Sequence, residues 1–122
     1  MPNVLVVEAD AVARNLMIRV LSGQGYTVYE AVTAAEAITL CQSLADEPLD
    51  LLIADHATSD PLLNETILSK CANTKVLNVS GWPIETVQRE RALLPGSSFL
   101  QKPFTAGELL HSVQTLLSPR MQ

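Results

Sequence analysis

Five short apolar runs recur along the chain, at Val4 to Val7, Thr27 to Tyr29, Leu51 to Ala54, Val76 to Val79 and Phe99 to Leu100. Their starts lie 23 to 25 residues apart, the length of one strand plus one crossover helix. The stretches between them carry helical spacing. Val12, Leu16 and Val20 form one stripe, Ala34, Ile38, Cys41 and Leu44 a second, and Leu109, Val113, Leu116 and Leu117 the last. Weaker helical patterns run from Leu62 to Cys71 and from Ile84 to Leu94. Local punctuation agrees: Thr33-x-x-Glu36 and Thr105-x-x-Glu108 have the form of capping boxes, and Gly23 and Gly25 suit the end of the first helix. Five βα units in succession predict an α/β fold, a doubly wound five-stranded parallel sheet with right-handed crossovers and helices on both faces. No internal repeat or low-complexity stretch interrupts the pattern.

A polar residue closes each of four apolar runs. Glu8 follows Val4 to Val7, Asp55 follows Leu51 to Ala54, Ser80 follows Val76 to Val79, and Lys102 follows Phe99-Leu100-Gln101. An acid at the mouth of a buried strand is costly unless it has a partner or a chemical role. In one parallel sheet all four groups meet at the carboxyl edge, where open α/β sheets bind ligands.

Length and charge narrow the classes. A chain of 122 residues fits one domain, 1–122, with a core large enough to bury roughly two-thirds of its unfolded surface. Apolar runs of four or five residues fall far short of the roughly 20 that cross a bilayer, and the N-terminus has no secretory signal pattern, so a cytoplasmic protein without membrane contact is expected. A net charge of -5 with eight scattered Lys and Arg argues against direct nucleic-acid binding. Arg89 and Arg91, with Glu85 and Glu90, read as a solvated helix face. Cys41 and Cys71 sit in apolar helical patterns and read as buried thiols rather than a disulfide or metal site. His56 and His111 have no ligand-spaced neighbours and read as non-functional. Trp82 is placed on a loop, either as a partner contact or partly buried against the fourth helix.

The runs Val76-Leu77-x-Val79-Ser80-Gly81 and Phe99-Leu100-Gln101-Lys102-Pro103-Phe104-Thr105 resemble those of receiver domains of two-component response regulators, particularly receivers attached to hybrid histidine kinases. The resemblance extends from Asn3 to about Leu117. It implies the flavodoxin-like strand order 2-1-3-4-5 and a phospho-acceptor at Asp55, whose carboxylate attacks a phosphohistidine supplied by a histidine kinase or phosphotransfer protein. It further implies that Lys102 and the Ser80 hydroxyl meet phosphoryl oxygens, that Ser80 and Phe99 form the switch, and that the Lys102-Pro103 peptide is cis. On this reading the chain is not an enzyme. It signals through the face made by the fourth helix, fifth strand and fifth helix, a face through which receivers also form homodimers. No output domain is expected. Whether the receiver stands alone or is a module of a larger kinase is left open, as are the cognate kinase and the output.

Two departures qualify the resemblance. The family ends its first strand with two acids that bind Mg2+, whereas this chain has Glu8-Ala9. With Glu8 and Asp55 as the only matching carboxylates, the magnesium site is expected to be weak or absent. Asp10 is the one further acid nearby, and it reads more simply as an N-cap. After Asp55 the family's Met-Pro is Thr58-Ser59. Each site residue also has a plain structural reading: Asp55 and Lys102 as a vestigial ion pair, Ser80 as a cap of the helix at Ile84, and Phe99 as core. These readings support an alternative, a phosphorylation-independent pseudo-receiver acting as an interaction module. A flavin or nucleotide binder on the same fold has less support, because Glu8-Ala9-Asp10 would repel a phosphate and no Gly-rich loop is present.

Overall fold

A computed structural model describes residues 2–44, 47–58, 61–70, 73–90, 93 and 96–118. Five strands, β1 (Asn3–Val7), β2 (Thr27–Ala31), β3 (Leu51–Asp55), β4 (Lys75–Ser80) and β5 (Ser98–Gln101), form one sheet. Every pairing is parallel and the order is β2-β1-β3-β4-β5, as the resemblance implied. Helices α1 (Ala11–Gly23), α2 (Ala34–Ser43), α3 (Pro61–Lys70), α4 (Ile84–Glu90) and α5 (Ala106–Leu117) fill the crossovers. The expected ends of the third and fourth helices, at Cys71 and Leu94, lie outside the described residues.

The central strands read as continuous apolar runs because alternate residues feed two separate cores. Leu5, Val7, Leu52 and Ala54 pack with Ala34, Ala37 and Cys41 of α2 and Leu63 of α3. Val4, Val6, Leu51, Ile53, Leu77 and Val79 pack on the other face with Met17 and Leu21 of α1 and Leu109 and Val113 of α5.

The stripe expected on α1 needs correction. Val20 packs against the core, but Val12 is 78% exposed and Leu16 39% exposed. The buried row is Met17 and Leu21. The helix carries two adjacent apolar rows, so 3.6-residue periodicity identifies an apolar helix without fixing which row meets the sheet.

Caps fix the helix starts. Asp10 accepts from the Ala13 N–H at 3.2 Å, which makes it the N-cap of α1. Thr105 and Glu108 form a complete capping box. At α2, Thr33 accepts from the Glu36 N–H, whereas the Glu36 carboxylate reaches back one residue further, to the Val32 N–H at 3.3 Å. Gly25, with φ of 91°, reverses the chain between α1 and β2, a conformation only glycine adopts freely. Among the described residues no helix is long and apolar enough to cross a membrane.

Candidate functional site

Parallel register brings the four strand-ending polar residues to one edge. Val7 pairs with Ala54, so Glu8 and Asp55 emerge side by side. Asp55 in turn pairs with Val79, the residue before Ser80, and Ser80 pairs with Gln101, the residue before Lys102. The Lys102 N–H donates to the Ser80 carbonyl at 2.7 Å, and the Lys102-Pro103 peptide is cis. Glu8 and Ser80 are each 2% exposed and Asp55 is 6% exposed.

Lys102 joins the two acids. Its Nζ lies 2.9 Å from Asp55 Oδ1 and also bonds Glu8 Oε1. Burial alone pulls the ammonium's pKa down. The hydrogen bonds to Glu8 and then Asp55, together with their charges, outweigh it and hold the pKa above lysine's ordinary value. Two carboxylates against one ammonium leave the cluster with one negative charge in excess.

The loops around this triad are tied down by residues without a pattern of their own. Thr58 Oγ1 donates to Asp55 Oδ2 at 3.1 Å and accepts from the Ala9 N–H at 3.2 Å. Arg14, on the first turn of α1, donates from Nη1 to the Glu8 carbonyl at 2.9 Å and to the Ala9 carbonyl at 3.3 Å, while its Nε meets Glu30 Oε1 at 3.1 Å. Neither residue was marked as a site residue by the sequence, although Thr58 was visible as a departure. A hydroxyl in a turn and an arginine on a helix give no periodic signal.

The remaining candidates fall around the triad. Ser80 Oγ accepts from the Trp82 N–H at 2.9 Å, which orders the turn ahead of α4 and differs from a cap at Ile84. Trp82 itself is 61% exposed, so burial against the fourth helix is not its role. Phe99 is half-buried in β5. His56 is not isolated: its Nε2 lies 2.7 Å from Glu90 Oε1 at the end of α4, linking the residue after Asp55 to that helix. His111 is exposed on α5.

The residues present do not fit a magnesium ion. Among the described residues, Glu8 and Asp55 are the carboxylates brought together at the strand ends, and both are engaged by Lys102. Position 9 supplies a methyl group, and Asp10 is committed to the helix N-terminus. Among the described residues no group of three or more His, Cys, Asp or Glu could hold a metal. Magnesium requires near-ideal octahedral oxygen coordination, which two lysine-bound carboxylates do not make.

No family model matches the chain. Sensor kinase CckA of Brucella abortus is 29% identical over 117 residues, which are 93% of this chain and 12% of that protein. Aerobic respiration control protein ArcA of Escherichia coli K12 is 29% identical over 122 residues, 98% of this chain and 50% of that protein. The chain therefore spans half or less of the length of these curated relatives. The crystal structure of the receiver domain of the hybrid histidine kinase CckA superposes with a TM-score of 0.77 at 27% identity, covering 95% of this chain and 99% of that one.

Proposed function

We propose, from the premise that this chain's homologues and structural neighbours are response-regulator receiver domains and that it has their fold, that it accepts a phosphoryl group on Asp55. The supporting observation is the Asp55 carboxylate itself, buried at the carboxyl end of β3 with the Lys102 ammonium 2.9 Å away. An oxygen of Asp55 bonds phosphorus as the phosphorus–nitrogen bond of a phosphohistidine breaks, and the electron pair departs with the imidazole. Little covalent chemistry is asked of the protein, so positioning and charge neutralisation dominate. Lys102 supplies a compact cation for the phosphoryl oxygens, and Ser80, one strand away, supplies a hydroxyl.

The phosphoryl donor in this reading is a histidine kinase or phosphotransfer protein. Beside the crevice a groove of about 220 Å³ is lined by Val12, Leu16, Pro103 and Phe104 together with Lys102. Its exposed aliphatic residues on α1 suit the apolar side of a partner helix carrying the phosphohistidine. Phosphorylation would be passed through Ser80 and Phe99 to the face of α4, β5 and α5, through which two copies would also pair. We read the chain as a single cytoplasmic receiver domain, a signalling module rather than an enzyme, with weak or absent magnesium binding.

A pseudo-receiver is the second reading. It is favoured by one observation: Lys102 already bonds both carboxylates, so its ammonium is engaged without a phosphoryl group. Incubation with acetyl phosphate, read by intact mass, separates the two. One added phosphoryl group that maps to Asp55 and disappears in Asp55→Asn is the expected result. An unmodified wild type, or label on Glu8 or a histidine, would overturn the acceptor assignment.

A further inference from the structure

The Asp55 carboxylate is held at both oxygens, and the second holder has no counterpart among the four strand-end residues. Oδ1 accepts from Lys102 at 2.9 Å, whereas Oδ2 accepts from Thr58 Oγ1 at 3.1 Å. The direction of the second bond is fixed by a third group. A hydroxyl has one proton, and because the Ala9 N–H donates to the lone pairs of Thr58 Oγ1 at 3.2 Å, that proton is left for Asp55. Three atoms thus form a relay from the amide of position 9 through Thr58 to the carboxylate, with each bond polarising the next. The turn that presents Thr58 is itself fixed, since the Thr58 N–H donates to the Asp55 carbonyl at 3.0 Å and the His56 N–H to the Val79 carbonyl at 2.8 Å.

We propose that Thr58 is the positioning residue of the acceptor: its hydroxyl, oriented by the Ala9 amide, fixes the plane of the Asp55 carboxylate for attack. The inference rests on the reading of Asp55 as phospho-acceptor. An aspartate's terminal torsion is broad and roughly two-fold, so a carboxylate held at one oxygen alone swings through a wide arc. Anchoring both oxygens narrows that arc before the donor arrives. Oδ1, on the lysine side, is then the oxygen that bonds phosphorus as the bond from phosphorus to the donor breaks and its electron pair leaves with the donor. Oδ2 becomes the carbonyl oxygen of the acyl phosphate, still accepting from Thr58. The hydroxyl supplies this orientation on the side of the crevice where Ala9 offers no carboxylate.

The test compares wild type, Thr58→Val and Thr58→Ser over a range of acetyl phosphate concentrations, with modification of Asp55 followed by intact mass and thermal unfolding recorded for each. Valine keeps the shape and removes the hydroxyl, so the maximal rate should fall by about ten- to a hundredfold while the half-saturating concentration stays unchanged. Serine should retain the wild-type rate. A role confined to holding the loop would shift the unfolding midpoint without this split and without rescue by serine. Equal maximal rates for wild type and a folded Thr58→Val would overturn the inference and leave the acceptor reading intact, whereas an unmodified wild type would overturn both. If valine prevents folding, Thr58→Ala carries the same comparison.

Discussion

Two buried carboxylates share one ammonium at Lys102, and the charge state of the site turns on that residue. Lys102→Met would leave Glu8 and Asp55 facing each other unneutralised, and removing one partner from a buried ion pair costs about 3 kcal/mol or more. Urea denaturation should register that loss, and adding Asp55→Asn to the variant should return part of it. The pH dependence has a definite sign. The folded-state pKa of Lys102 lies above its unfolded value, so its stabilisation is fully present below lysine's ordinary 10.5 and is lost as pH rises through the raised value. The stability gap between wild type and Lys102→Met should therefore be flat through neutral and mildly alkaline pH and narrow only above 10.5. A gap that narrows near neutrality would place the relevant titration on another group. Glu8, Asp55, Ser80 and Lys102 were legible in the sequence because each ends an apolar run, and parallel strands end at one edge. The sequence placed Glu8 on the metal side. Its bond to Lys102 is a side-chain choice that strand pattern does not encode.

At the level of elements, the strands were legible to within one or two residues, since a β-strand buried on both faces leaves little room for polar residues. Helix α1 was legible as a helix but not in its orientation, because Val12 and Leu16 make as good a stripe as Met17 and Leu21. That misassigned row has a use in the proposed function. Val12→Asp with Leu16→Asp lies outside the core, so stability should change by no more than about 0.5 kcal/mol per substitution. Transfer from a phosphohistidine protein should slow while modification by acetyl phosphate stays at the wild-type rate. Equal slowing with both donors would show that the substitutions disturb the crevice rather than a docking surface. The capping box of α5 offers an independent check on the geometry: Thr105→Ala removes the acceptor for the Glu108 N–H and should cost about 1 kcal/mol in denaturant titration.

The whole molecule has the fold of receiver domains, with Asp55 bonded from within by Lys102 and Thr58. Sheet order and in-register strand ends deliver lysine and two acids to one crevice; the parallel sheet could be read from the spacing of the apolar runs, whereas the strand order came only with the family resemblance. The consequence of Ala9 could be read only halfway. The missing carboxylate was plain, but the engagement of Asp55 by Thr58 and Lys102 together depends on loop geometry that no periodicity carries. The most direct measurement of the central claim is the time course of Asp55 modification by acetyl phosphate, with magnesium or with a chelator, for wild type beside Ala9→Asp. Wild type should gain one phosphoryl group at Asp55 at a rate that magnesium changes little, whereas Ala9→Asp, with a third hard ligand restored, should bind magnesium more tightly and react faster only when it is present. A wild type that stays unmodified in both conditions while Ala9→Asp is modified would contradict the acceptor role and leave the chain as a pseudo-receiver.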